Sequence, residues 1–194
     1  MTRSDLIAAL TPVVEALDAL GVRHYVGGSV ASSVHGVQRA SIDADVIADL
    51  DFEHVAGLVA RLQDQYYLDE GRVRSAVVAR RSFNAIHLAS MFKVDVFAAR
   101  RRPYDREALA RARPEALDDA HDVRWFLVAT AEDTVLAKLE WFRAGGEISQ
   151  RQWADILGVL RSREQQLDRE YLARWAAALE VADLLHRAAD EAGL

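Results

Sequence analysis

The sequence predicts an α/β (α+β) fold with a small mixed β-sheet flanked by helices, followed by a C-terminal helical bundle. In residues 1–129, short runs with strand-type periodicity alternate with stretches of helical periodicity. From residue 132 onward every stretch has a helical period. We therefore expect an α/β core over residues 1–129 and a helical subdomain over residues 130–194. A chain of 194 residues is long enough to bury a proper core.

The first third of the chain begins with a helical pattern over residues 3–20, in which Ser4 is a plausible N-cap and Pro12 marks a kink or restart. His24, Tyr25 and Val26 form a short predicted strand. The elements that follow, in order, are a helical turn over 29–35, a loop over 36–41, a strand over 42–48, a helix over 51–65 that Asp51 can cap, and a helix over about 70–81.

The middle of the chain contains two strand-like runs, 83–88 and 92–97, which a three-residue turn joins into a predicted hairpin. Residues 100–123 are predicted to be irregular or partly helical, and residues 124–129 to form an edge strand. The remaining helices are predicted over 131–144, 149–162, 168–179 and 181–191. All four tryptophans are predicted to pack in the core, namely Trp125, Trp141, Trp153 and Trp175.

The composition excludes several classes of protein. The chain has no cysteine, which rules out disulfides and thiolate metal sites. Its six histidines do not show the spacing of a zinc site, and no P-loop or nucleophile-elbow motif occurs. The longest uncharged stretch, residues 24–38, is too short and too polar to span a bilayer, and no signal-peptide pattern is present. We therefore expect a cytoplasmic protein with no membrane partner.

The charge of the chain is unevenly distributed. The net charge is −6, yet residues 71–113 contain eleven lysines and arginines against three acidic residues. Such a segment indicates a phosphate-rich partner such as a nucleotide or a nucleic acid. The alternative interpretation is a solvated, arginine-rich helix and loop.

Three aspartates form the most informative pattern. Asp43 and Asp45 are two positions apart in a predicted strand, so both side chains lie on one face, and Asp95 lies in the apolar run 92–97. Two carboxylates about 4 Å apart repel by roughly 4 kcal/mol at an effective dielectric constant near 20. A cluster of three therefore requires a divalent cation, protonation or a basic neighbour. We predict Asp43, Asp45 and Asp95 as catalytic ligands of Mg²⁺ (or Mn²⁺) in phosphoryl or nucleotidyl transfer.

The turn Gly27-Gly28-Ser29 follows the first predicted strand and opens a helix. Backbone N–H groups at a helix start can bind phosphate, glycine permits close approach, and the Ser29 hydroxyl can donate a further hydrogen bond. We predict that these three residues bind nucleotide. The alternative is an ordinary strand-to-helix turn.

The order of these motifs resembles the DNA polymerase β-like nucleotidyltransferase superfamily. The residues that carry the resemblance are Val26-Gly27-Gly28-Ser29, then Asp43-Ala44-Asp45, then Asp95, with Arg39-Ala40-Ser41 similar to the Arg-x-Ser/Thr that precedes the acidic pair. Three stretches resemble a bacterial group related to abortive-infection and type IV toxin nucleotidyltransferases, namely Ala131–Trp141, Gly145-Gly146-Glu147 and Gln152–Leu157.

The resemblance implies transfer of a nucleoside monophosphate from a nucleoside triphosphate (NTP) to a hydroxyl group. Three classes of acceptor remain open, namely RNA (such as a tRNA 3′ end), a protein and a small molecule such as an antibiotic. The resemblance to the toxin group implies a separately encoded antitoxin as partner. Two other hypotheses remain open, namely an inactive nucleotidyltransferase fold that only binds its ligand and an RNA-binding module with a basic surface.

Three basic residues are further candidates for nucleotide binding. Lys93 shares a strand face with Asp95, so it can reach substrate phosphate, neutralise the carboxylates or form a structural ion pair. Lys138 lies on an apolar stripe of helix 131–144, and the resemblance favours a cleft-facing lysine that contacts the triphosphate over one that snorkels to solvent. Arg39 is a nucleotide contact or a free loop arginine.

Overall fold

The computed structural model describes residues 2–37, 43–117 and 124–194. The α/β part contains α1 (Arg3–Ala19), β1 (His24–Val26), α2 (Gly28–Val34), β2 (Asp43–Ala48), α3 (Phe52–Leu62), β3 (Tyr66–Tyr67), α4 (Glu70–Val78), β4 (Ser82–His87), β5 (Lys93–Ala98), α5 (Pro103–Arg111), β6 (Arg113–Ala116) and β7 (Trp125–Val128). The C-terminal part contains α6 (Ala131–Ala144), α7 (Gln150–Arg163), a 3₁₀ turn (Glu164–Gln166), α8 (Arg169–Ala178) and α9 (Ala182–Ala192).

The strands form one mixed sheet in the order β3-β4-β5-β2-β1-β7-β6. β2 pairs in parallel with β5, and β1 pairs in parallel with β7. The other neighbouring strands are antiparallel, including the predicted hairpin of β4 and β5. The predicted α/β fold with a mixed sheet is therefore confirmed.

The two faces of the central strands differ in polarity. Ala44, Val46 and Ala48 of β2 are fully buried in the hydrophobic core, because alternation along the strand points them to the same face. The alternate residues Asp43, Asp45 and Ile47 are only partly buried. The sheet therefore places the acidic residues on the face opposite the packed core of β2.

The C-terminal helices pack onto the sheet part of the molecule. α6 packs against α2, and it also contacts α7 and α8. A single cluster of buried side chains contains Leu136 and Leu139 of α6 together with Val26 and Val46 of the sheet. The division at residues 129 and 130 stays a prediction, although the two parts share this core. In the described segments, no helix combines the length and the apolarity that a membrane span requires.

The N-terminus of α1 differs from the sequence prediction. Thr2, not Ser4, is the N-cap, because a capping box forms with the residue three positions later. The Asp5 amide donates to Thr2 Oγ1, and the Thr2 amide donates to the Asp5 carboxylate. The helix runs through Pro12 without a break in its assignment, so no restart occurs there.

Residues 124–129 form a strand as predicted, but the prediction that this strand lies at the edge of the sheet is wrong. β7 lies between β1 and β6, so the edge is formed by β6, which has the weakly strand-like sequence Arg-Pro-Glu-Ala. The predicted burial of Trp125 is also wrong, because alternation sends Phe126 and Val128 to the core and leaves Trp125 62% exposed. The predicted burial of Trp141 is wrong as well, because this residue is 51% exposed although its ring contacts Phe97 of β5.

The short edge strand β3 generates a prediction about stability. Tyr66 is buried, and its hydroxyl donates a 2.5 Å hydrogen bond to the Ala9 carbonyl of α1, whereas the next residue, Tyr67, is 65% exposed. We expect Tyr66→Phe to lower the free energy of unfolding by about 1 kcal/mol, the usual net value of one such hydrogen bond. Urea unfolding measures this, and Tyr67→Phe is the matched control with no expected change. Equal effects of both substitutions would contradict the role of the buried hydroxyl.

Candidate active site

The three predicted aspartates lie together because of the pairing of β2 with β5. In this parallel ladder Asp43 is opposite Lys93 and Asp45 is opposite Asp95. Paired residues of neighbouring strands point to the same face. The sheet therefore brings all three carboxylates and one lysine to one face, near the N-terminal ends of both strands.

β4 adds Asn84, a residue that the sequence analysis missed. The antiparallel register places Asn84 opposite Asp95, and the Asn84 amide donates a hydrogen bond to Asp95 Oδ1. The predicted hairpin, with a three-residue turn at 89–91, would place Asn84 opposite Val96. Its register was therefore one residue off, and without the correct turn length no signal in the sequence pointed to Asn84.

The glycine turn after β1 lies directly against Asp45. The Gly27 amide donates a 2.9 Å hydrogen bond to the Asp45 carbonyl, so this N–H is part of the sheet and does not meet the expectation that it binds phosphate. Gly28 has a φ of +55°, and a Cβ on Gly28 would lie 1.6 Å from Asp45 Oδ2. Only glycine therefore allows the Asp45 carboxylate its position beside the turn. Ser29, the third predicted residue, is buried in the first turn of α2.

The Asp45 carboxyl has a strongly perturbed pKa. Burial is the largest cause, and the negative charges of Asp43 and Asp95 add to it, raising the pKa of Asp45 to about 6. The positive charges of Lys138 and Lys93 act in the opposite direction. A bound cation at this position would relieve the crowding of negative charge.

Lys93 neutralises part of this charge. Its Nζ lies 2.7 Å from Asp95 Oδ2 and 3.7 Å from Asp43 Oδ2. The hydrogen bond to Asp95 is the main cause that raises the pKa of Lys93, so the side chain is firmly an ammonium ion. Lys93 was predicted to contact phosphate, to neutralise the carboxylates or to form a structural ion pair. The structure shows its ion pairs with the carboxylates of Asp95 and Asp43.

Lys138 lies near the aspartates and is buried. Its Nζ forms a 2.8 Å ion pair with Asp155 Oδ2 of α7, and both side chains are nearly inaccessible to solvent. Its charge also lowers the pKa of Asp45. Contact with a triphosphate stays a prediction for Lys138. Lys93 and Lys138 are the only lysines of the chain, and that scarcity is a further sequence signal for both.

The donor set fits one divalent cation. Mg²⁺ takes oxygen ligands and is usually bound by one or two carboxylates together with substrate phosphates. Asp43 and Asp45 supply such carboxylates on one face of β2, whereas both oxygens of Asp95 already accept hydrogen bonds, from Asn84 and Lys93. Over residues 2–37, 43–117 and 124–194, no three histidine or acidic side chains are arranged as a preformed metal site.

The arginine-rich segment is largely paired within the protein. Arg101 contacts Asp49 and Asp51, and Arg102 contacts Asp105 and Glu140. In the fully described range 71–113, seven of the eleven basic residues have a carboxylate partner, namely Arg74, Arg80, Lys93, Arg100, Arg101, Arg102 and Arg111. Most of this positive charge is therefore already neutralised by carboxylates of the protein itself. Arg39 lies outside the described residues, as do Ala40 and Ser41.

The chain was compared with known proteins by sequence and by structure. No protein-family model matches the chain, and no curated protein matches its sequence. The solution structure of the antibiotic-resistance factor ANT(2″)-Ia is similar over 96% of this chain and 99% of that chain, with 13% identity and a TM-score of 0.55.

Two crystal structures are also similar. ANT(2″)-Ia in complex with adenylyl-2″-tobramycin matches over 90% of this chain and 97% of that chain, with 17% identity and a TM-score of 0.54. The lincomycin-bound lincosamide antibiotic adenylyltransferase LnuA matches over 82% of this chain and 96% of that chain, with 14% identity and a TM-score of 0.46. At these identities the ANT(2″)-Ia structures establish the architecture alone, and the chain has the nucleotidyltransferase fold.

Proposed function

We propose that this protein is a metal-dependent nucleotidyltransferase, which moves a nucleoside monophosphate from an NTP to a hydroxyl group and releases pyrophosphate. One observation carries the proposal. Asp43, Asp45 and Asp95 share one face of the sheet beside the Gly27–Gly28 turn, with two lysines close by. A fold that only bound a ligand would gain nothing from three adjacent carboxylates, which repel one another.

The residues of the site have separate roles in the proposed reaction. Asp43 and Asp45 would hold a divalent cation, which when bound supplies neutralisation of charge on the phosphates. Asp95 orients the acceptor hydroxyl and takes its proton. The hydroxyl oxygen then forms a bond to the α-phosphorus, while the bond from that phosphorus to the bridging oxygen breaks and pyrophosphate leaves. Contact of the Gly28 backbone with a phosphate stays a prediction, because the Asp45 carboxylate fills the space that a Gly28 side chain would take.

Lys138 is the proposed triphosphate contact from the helical part. It lies close enough to Asp45 to lower the pKa of that carboxyl, and Asp155 holds its ammonium group in place. A lysine fixed by a carboxylate loses less side-chain freedom when it meets a phosphate than a mobile surface lysine does. We therefore assign Lys138 to phosphate binding and Asp155 to positioning Lys138.

The acceptor is proposed to be a small molecule with a hydroxyl group. The paired arginines of residues 71–113 leave less positive charge for an RNA backbone than the sequence analysis expected. The similar structure of ANT(2″)-Ia contains adenylyl-2″-tobramycin, the product of nucleotidyl transfer to a small molecule. An RNA acceptor and an antitoxin partner stay predictions of the sequence analysis, and the experiment below tests the RNA acceptor directly.

The experiment incubates the protein with each α-³²P-labelled NTP and Mg²⁺ or Mn²⁺, in the presence of an aminoglycoside panel that includes tobramycin, or total RNA, or total protein. We expect label on a small molecule, and Asp45→Asn should lower the rate by about 100-fold or more. Removing a residue that supports a metal ligand lowers metal affinity or activity by about 10- to 100-fold. Removing the ligand itself should lower the activity further.

The matched control is Asp64→Asn, which makes the same chemical change at an exposed position of the loop after α3. It should leave the rate unchanged. Label on RNA would keep the transferase and move the acceptor to nucleic acid. Transfer by Asp45→Asn at the wild-type rate would contradict the assignment of the site.

The perturbed pKa of Asp45 predicts a dependence of stability on pH in the metal-free protein. Its pKa is about 6 in the folded state, against about 3.9 in an unfolded chain, so the folded state binds the extra proton and loses stability as the pH rises between these values. Without metal, Asp45→Asn should therefore be more stable than wild type, by about 1 kcal/mol at about pH 4.5 and about 3 kcal/mol at about pH 7.5. Urea unfolding in EDTA at both pH values measures the difference. A difference independent of pH would contradict the electrostatic cause.

The contact between Gly28 and Asp45 predicts the effect of adding one methyl group. Gly28→Ala would place a Cβ 1.6 Å from Asp45 Oδ2 at a φ of +55°, so the carboxylate must move away from the turn. We expect transfer activity to fall by about 10- to 100-fold, as for the loss of support for a metal ligand. Gly146→Ala is the control, because Gly146 has a φ of +74° and a Cβ added there would meet no atom within 4 Å. Both variants carry similar backbone strain, so an equal loss of activity would contradict a specific effect on Asp45.

A further inference from the structure

Lys93 lies between two of the three carboxylates. Its Nζ is 2.7 Å from Asp95 Oδ2 and 3.7 Å from Asp43 Oδ2. The parallel ladder of β2 and β5 fixes the strand positions of all three residues, with Asp43 directly opposite Lys93. A positive charge is therefore built into the sheet between a carboxylate of β2 and a carboxylate of β5.

Asp95 is a poor ligand for a cation in this arrangement. Its Oδ2 accepts a hydrogen bond from Lys93, and its Oδ1 accepts one from the Asn84 amide. One lone-pair site remains on each oxygen, but a divalent cation bound there would lie close to the Lys93 ammonium group. Asp43, by contrast, is 3.7 Å from Lys93, which is longer than a hydrogen bond. Asp95 is therefore less available to a divalent cation than Asp43 and Asp45 are.

The charges lead to the same distinction. The three carboxylates and the Lys93 ammonium leave two negative charges, and the Lys138–Asp155 pair adds no net charge. One divalent cation neutralises that remainder. A second divalent cation between Asp43 and Asp95 would lie beside the ammonium group. Like charges a few ångströms apart repel strongly at the reduced dielectric of such a site.

We propose that the Lys93 ammonium takes the place of a second divalent cation, so that the chain binds a single divalent cation, at Asp43 and Asp45. This inference rests on the proposed function and specifies how many cations its site takes. Lys93 then supplies a fixed positive charge beside the acceptor hydroxyl, and Asp95 holds Lys93 in addition to accepting the proton.

The test counts the Mn²⁺ ions bound per chain of the folded protein. Free Mn²⁺ is followed by its EPR signal in a titration, first with Mn²⁺ alone and then with each saturating α,β-methylene nucleoside triphosphate. The Mn²⁺ that the analogue binds in a titration without protein is subtracted. Wild type and Lys93→Arg should bind one ion. Lys93→Met, which keeps the length of the side chain and removes its charge, should bind two. Asp45→Asn should bind Mn²⁺ at least tenfold more weakly than wild type.

The outcomes separate this inference from the proposed function. Two ions per wild-type chain in the presence of an analogue, or one ion in a folded Lys93→Met, would overturn the inference and leave nucleotidyl transfer intact. Absence of Mn²⁺ binding by wild type under both conditions would contradict the proposed function as well. Thermal unfolding in EDTA checks that Lys93→Met folds, and the wild-type and Lys93→Arg counts remain decisive if it does not.

Discussion

Repulsion among the carboxylates of Asp43, Asp45 and Asp95 is the constraint on which the surrounding structure depends. The parallel pairing of β2 with β5 brings them to one face, and burial adds to the cost, so that the pKa of Asp45 rises to about 6. Two lysines from different elements counter this charge, Lys93 on β5 and Lys138 on α6. A site with this balance remains attractive to a cation, because the lysines compensate the negative charge only in part.

Two residues of the site, Gly28 and Asp45, lower the stability of the folded protein. Asp45 lies against Gly28, which has a positive φ and leaves no room for a Cβ. A glycine at such a position increases the conformational freedom that is lost on folding, and a half-buried carboxylate with a raised pKa opposes folding at neutral pH. Features that lower stability and are retained in a packed structure are typical of functional sites. The Gly28–Asp45 contact is therefore better explained by the binding of a ligand than by packing.

The sequence predicted the parts of the structure that depend on local pattern. Alternation in β2 and β5 was sufficient to place the three aspartates and Lys93 on polar strand faces, and helical periodicity located the C-terminal bundle. Parts that depend on pairing between distant segments were missed. β3 and β6 are short strands that exist because a neighbour offers hydrogen bonds, and β6 turned the predicted edge strand β7 into an interior one. The burial of Trp125 was mispredicted because apolarity was given more weight than its alternation with Phe126.

The helical part contributes to the site through α6. Lys138 reaches the vicinity of Asp45 from this helix, while farther along it Glu140 pairs with Arg102 and Trp141 packs edge-on against Phe97 of β5. The Lys138–Asp155 pair is buried, and burying two charges costs more than their attraction returns unless the geometry is good. Replacing a buried ion pair by apolar residues is often neutral or stabilising. If Lys138 binds phosphate as proposed, the helical bundle contributes directly to the site through α6.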